Sequence, residues 1–113
     1  MKKIFFILLI FSFSFGLECI VGQEVGLWGK CYNIKTTTKL ILTDIKLEGG
    51  VPSKIVNLTN LDTLILVRNQ LTGEIPKRIG NLKNLKCLIL GGNKFNGKIP
   101  SSIKYLSKLY YLN

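Results

Sequence analysis

The chain has 113 residues, room for one domain at most. Apolar residues make up 47% and charged residues 19%, which excludes a disordered chain. The formal net charge is +10 and histidine is absent, so histidine-dependent nucleophiles and histidine-ligated zinc are excluded as well.

The first residues, MKK, lead into the apolar run IFFILLIF and then SFSFG, with small residues at Ser14 and Gly16. This layout predicts a secretory signal peptide over residues 1–16, cleaved after Gly16. The rival is an uncleaved anchor, which needs roughly 20 apolar residues. Ile4 to Leu17 is only fourteen residues long. Lipid attachment at Cys19 is disfavoured, because Glu18 stands where such signals want a small residue. The mature chain is expected to be secreted or extracellular, and losing Lys2 and Lys3 lowers its charge by two, to +8. No nucleic-acid partner is expected there, since the basic residues are scattered and exported chains seldom meet DNA. Acidic polysaccharide, an anionic surface or an acidic protein suits the compartment better, and simple solubility is the plainer explanation. Membrane contact is expected only through an anchor that this chain does not contain.

Residues 17–37 read as a short N-terminal cap. Cys19 and Cys31 flank Trp28, and three cysteines in an exported chain suggest one disulfide and one leftover. Cys19 with Cys31 is the expected pair, closing a short loop; the alternative is a free Cys19 on a flexible terminus.

From Thr38 the chain repeats itself. Pro52, Pro76 and Pro100 are spaced by 24, and Gly49, Gly73 and Gly97 keep the same step. So do the pairs Leu40/Leu42, Leu64/Leu66 and Leu88/Leu90, and the sets Ile55/Ile79/Ile103, Leu58/Leu82/Leu106 and Leu61/Leu85/Leu109. The alternating part, as in TLILV from Thr63, has the period of a strand with one buried face. Asn69 and Asn93 follow, where the chain must turn. Their side chains can both donate and accept, and so satisfy backbone groups of stacked turns. The glycine permits positive φ and the proline forbids a continuous helix. LTGEIPKRIGNLKNL, from Leu71, therefore reads as a tight coil between strands rather than a basic amphipathic helix.

The pattern L-x-L-x-x-N-x-L-x-G-x-I-P resembles the plant-type leucine-rich repeat over Thr38 to Asn113, and GLWGKC resembles the edge of that family's N-terminal cap. Ile45 departs from it, standing where the first unit should have asparagine. The resemblance implies an α/β repeat solenoid: a right-handed superhelix with a parallel concave β-sheet and a coil or 3-10 convex side. Its units would span 38–61, 62–85 and 86–109, with 110–113 opening a truncated fourth. It also implies an extracellular recognition module such as a receptor-like ectodomain or a polygalacturonase-inhibiting protein.

On such a sheet the outward strand residues form rows. Lys39, Thr63, Cys87 and Tyr111 make the first, Ile41, Ile65 and Ile89 the second, and Thr43, Val67 and Gly91 the third, bordered by Arg68. These are the candidate ligand-binding residues, and the isoleucine row marks either a partner site or residues merely suited to strands. Cys87 is a small filler or an exposed thiol. Asn57-Leu58-Thr59 is a glycosylation sequon on the outer coil. Lys77, Arg78 and Lys83 read as a solvated face of that coil. The six carboxylates show no paired spacing, and no phosphate-cradling loop is found, so no catalytic residue, metal or cofactor is expected. The expected function is binding of a protein or polysaccharide ligand. The alternatives are the N-terminal part of a membrane-anchored receptor, an inhibitor of a secreted cell-wall-degrading enzyme, or a truncated gene product. Ile103, Leu106 and Leu109 would leave an uncapped apolar end prone to self-association.

Overall fold

The computed structural model describes residues 18–113, so the expected signal peptide lies outside the described residues. Strands β1 (Glu24–Leu27) and β2 (Lys30–Asn33) pair antiparallel, with Gly26 opposite Cys31. Trp28 and Gly29 form the connecting turn, both at positive φ (48° and 79°). A two-residue turn of that hand matches the twist of the strands it joins. Trp28 accepts this uncommon backbone while its ring packs against the core.

The rest of the described chain supplies β3 (Lys39–Ile41), β4 (Glu48–Gly49), β5 (Thr63–Ile65), β6 (Gln70–Leu71), β7 (Cys87–Ile89) and β8 (Tyr111–Leu112). β3, β5, β7 and β8 lie side by side in one parallel sheet. Its register advances by 24: Leu40 faces Leu64, Leu64 faces Leu88, and Leu88 faces Leu112. β4 and β6 form a second parallel pair, with Glu48 opposite Gln70 and Gly49 opposite Leu71. That step of 22 falls two short of the sequence period, so these strands run slanted across the stack.

Each unit then turns through a short 3-10 segment, at Ser53–Asn57, Ile79–Asn81 and Ser101–Tyr105. The proline before each fixes the entry. Its carbonyl accepts from the isoleucine three residues on, Ile55 from Pro52, Ile79 from Pro76 and Ile103 from Pro100, at 3.0–3.1 Å. Lacking an N–H, proline loses nothing at this position.

The alternating leucines point to one shared interior. Leu64, Leu66 and Leu88 from the sheet meet Ile55, Ile79, Leu58, Leu82, Leu61 and Leu85 from the coils, all essentially without exposure. Asn69 serves two turns at once. Its Oδ1 accepts from the Ile45 and Leu47 amides, both at 3.1 Å, and its Nδ2 donates to the Leu42 and Leu66 carbonyls. Asn93 repeats the device one unit on, accepting from the Leu71 amide and donating to the Leu66 and Leu90 carbonyls. Each asparagine thus completes the unit before it as well as its own. Ile45 has no earlier repeat turn to serve and is half exposed.

The two ends of the stack differ. Val25 and Leu27 of the hairpin are buried at one end. At the other, Leu112 is 50% exposed and Ile99 64%.

Candidate ligand-binding face

Strand alternation sends Leu40, Leu64 and Leu88 inward and leaves their neighbours on the sheet's outer surface. Lys39, Thr63, Cys87 and Tyr111 stand in one row across four strands. Ile41, Ile65 and Ile89 stand in the next, with Ile41 55% exposed and the other two half-buried. Beyond the strands the ladder continues as Asp44 donates to Val67 and Arg68 to Gly91, at 3.1 and 3.0 Å. This carries Thr43, Val67 and Gly91 alongside as a third row.

The third row ends where the backbone turns left-handed. Asp44, Arg68 and Gly92 occupy equivalent positions at φ of 55°, 54° and 70°. Only the last unit uses glycine there. A side chain at Gly92 would also press on Arg68, whose backbone nitrogen lies 3.1 Å from the Cβ position.

One charged group organises the opposite edge. Lys39 Nζ lies 3.1 Å from Asp62 Oδ1, and the Thr63 hydroxyl donates to the same oxygen at 2.6 Å. The Thr63 hydrogen bond, with Lys39 and the more distant Lys86, holds the Asp62 carboxyl below its ordinary range. Lys39 is therefore tied to a carboxylate on the neighbouring strand's edge, a partner that the outward rows alone do not reveal. The open face is an isoleucine row with a polar, salt-bridged edge on one side and Arg68 on the other.

The remaining candidates lie elsewhere. Cys87 carries a free, half-buried thiol between Thr63 and Tyr111 in the first row. Cys19 and Cys31 form a disulfide joining the start of the described chain to β2. Glu24 lies close to both sulfurs, but the thiols are consumed in the disulfide and Glu24 accepts from the Ile20 amide at 2.9 Å. Asn57 is exposed on the coil side, in a groove shared with Lys54, Lys77 and Arg78.

Two further ladders on the coil side went unread in the sequence. Asn60 and Asn84, one period apart, donate to the carbonyls of Lys35 and Thr59 at 2.9 and 3.1 Å. Lys108 then donates to Asn84 at 2.9 Å. The Ser102 hydroxyl bridges the coils, donating to the Lys77 carbonyl and accepting from the Gly80 amide. The step of 24 between Asn60 and Asn84 was the available signal.

Comparison with known proteins agrees with this geometry. The leucine-rich-repeat family model matches residues 60–82 and 84–106. No curated protein sequence matches the chain significantly. Among solved structures, the ectodomain of the receptor kinase SOBIR1 from Arabidopsis thaliana is 32% identical, with a TM-score of 0.60, over 64% of this chain and 39% of that one. The plant peptide hormone receptor RGFR1, solved in complex with RGF2, is 43% identical with a TM-score of 0.62, over 64% of this chain and 12% of that one. A chain of the BIR3–SERK2 complex from Arabidopsis thaliana is 28% identical with a TM-score of 0.61, over 89% of this chain and 52% of that one. This chain spans less than two thirds of each. Residues 60–82 and 84–106 are thus matched as leucine-rich repeats, and over 64% of its length the chain is similar in fold and sequence to the ectodomains of plant receptors.

Proposed function

We propose that this chain is an extracellular recognition module that binds a protein segment on the open sheet face and catalyses nothing. The observation that carries the reading is the row of Ile41, Ile65 and Ile89 across neighbouring strands of the sheet, Ile41 exposed and the other two half-buried. Lys39 with Asp62 at one edge, and Arg68 at the other, would orient an apolar segment laid across it. The repeats would form a right-handed solenoid with this face concave, in units 38–61, 62–85 and 86–109 behind a cap over 17–37. Asn57, on the coil side, is the expected glycan site and would leave the face clear.

The solved neighbours support a protein ligand and a cell-surface setting. One is a peptide hormone receptor in complex with RGF2, and another a complex of BIR3 with SERK2. They also favour the second reading, in which such a module belongs to a receptor ectodomain rather than acting alone. Export through residues 1–16 follows from either.

A photo-crosslinking residue placed at position 65, exposed to extracellular fluid of the expressing tissue, should capture a discrete protein. The same residue at Arg78, on the coil side, should not. Introducing Ile89→Glu should abolish capture at 65. Equal capture from both positions would remove the reading.

A further inference from the structure

An asparagine side chain is open to attack by the backbone nitrogen of the next residue when that amide is uncommitted and unshielded. Nine asparagines stand in the chain, and only Asn96 is followed by glycine. Asn113 ends the sequence, and in the other seven the following amide is already a donor. After Asn33, Asn69 and Asn93, Ile34 donates to Gln23, Gln70 to Leu47 and Lys94 to Leu71, each at 2.8 Å. After Asn57, Asn60, Asn81 and Asn84, a leucine donates within its own turn at 3.0–3.1 Å.

Asn96 differs on each count. The Gly97 amide donates to no backbone group among the described residues. Gly97 has no Cβ to shield its nitrogen and sits at φ 78°, where the chain leaves the ladder. The Asn96 N–H is anchored to the Gly73 carbonyl at 2.9 Å, but its side chain makes no hydrogen bond among the described residues. Asn93, three residues earlier, has both of its side-chain polar atoms bound. Asn96 and Gly97 are exposed, and Gly97 borders an open groove of about 570 Å³ with Glu74, Lys98 and Ser101. Water reaches the pair from that side. The earlier units hold Glu48–Gly49 and Thr72–Gly73 at this point, so the reactive pair belongs to the third unit alone.

From this we infer that Asn96 is a site of spontaneous covalent modification, with water as the co-reactant. The Gly97 nitrogen gives up its proton and forms a bond to Asn96 Cγ. The Cγ–Nδ2 bond breaks, and Nδ2 leaves with that proton as ammonia, closing a cyclic imide. Water then opens the ring at either carbonyl, and nothing is oxidised or reduced. Opening at Cγ yields aspartate. Opening at the main-chain carbon yields isoaspartate, with the backbone rerouted through Cγ. Either product adds a carboxylate where Glu74 already lies against Gly97, its Oε2 2.7 Å from the place of an added Cβ. The isoaspartyl form also inserts a methylene between the Gly73 ladder bond and the turn that Pro100 begins, so the third unit shifts against the second. The inference does not depend on binding at the sheet face.

The test is to age the purified, folded chain in buffers of rising pH and locate isoaspartate by enzymatic methyl transfer and peptide mass mapping. Modification should concentrate at residue 96 and quicken with pH, because the attacking amide must lose its proton. Asn96→Thr, with the side chain that the preceding unit carries at Thr72, should abolish the signal and leave the circular dichroism unchanged. The aged parent should show a lower denaturant midpoint than the fresh chain, while aged Asn96→Thr should not. A synthetic peptide of residues 93–99, aged in the same buffers, supplies the unfolded reference. A folded chain that stays unmodified while this peptide reacts would show that the ladder protects the pair, and would overturn the proposal. Modification spread evenly over the other asparagines would overturn it as well.

Discussion

Gly80 adopts an ordinary backbone conformation, yet no side chain fits there. A Cβ would collide with the carbonyl of Ser102 on the next coil, whose hydroxyl also accepts from the Gly80 amide. Gly80→Ala should force those coils apart and cost about 1–3 kcal/mol, read as a lower urea midpoint. The equivalent positions hold Val56 and Lys104, so this glycine answers a local contact that the period conceals. Asn69 is the opposite case. Its role follows from its place after the strand, because a buried turn must find partners for its backbone groups. Asn69→Ala would strip four such partners in two units. A loss of about 3 kcal/mol or more is expected from buried groups left unpaired, again by denaturant titration. Asn60→Ala, at an exposed rung of the outer ladder, should cost under about 1.5 kcal/mol in the same assay. Equal losses at the two sites would show that burial does not set the scale.

Among the elements, the sheet and the Cys19–Cys31 disulfide were legible and the hairpin was not. Alternating leucines at a fixed stride dictate a strand with one buried face, and Leu40, Leu64 and Leu88 obey it. The hairpin at Glu24–Leu27 and Lys30–Asn33 turns on Trp28, a residue that ordinarily avoids positive φ, so its sequence carries no usual turn signal. The slanted β4–β6 pair escaped because its register departs from the repeat period by two residues. The hairpin closes the first coil and is held by the disulfide across a separation of 12 residues. Cys19→Ser with Cys31→Ser should lower stability by about 3 kcal/mol, the entropy of opening a loop of that size. Reductant should reproduce the loss in the parent chain and not in the variant. At the sheet edge, the lowered Asp62 carboxyl makes a pH-dependent contribution. Because its folded value lies below its unfolded value, the contribution is full above about pH 4 and fades as pH falls through the folded value. Asp62→Asn should therefore be less stable than the parent at neutral pH, by under about 1 kcal/mol for so exposed a pair. The difference should vanish in acid, and a gap that persists there would assign it to something other than ionisation.

For the molecule as a whole, stability depends on how many neighbours each coil has. The same position in successive strands makes the point: Leu64 and Leu88 are buried between coils, while Leu112 is half exposed. Leu88, Leu90, Phe95, Ile99, Ile103 and Leu112 together line an apolar hollow of about 220 Å³ on that end. At the other end the hairpin supplies the missing neighbour. In stacked repeats, stability is close to a sum of unit and interface terms, so an uncovered end weakens every unit that relies on it. Appending one more 24-residue unit after Asn113, of the same pattern but with a polar outer coil, should cover this surface. Burying the exposed halves of Leu112 and Ile99, with the hollow between them, is worth roughly 3 kcal/mol at the usual transfer free energies. The extended chain should unfold at a higher denaturant midpoint with a steeper transition, since more surface is buried cooperatively. An unchanged midpoint would mean that the coils do not stabilise one another in series.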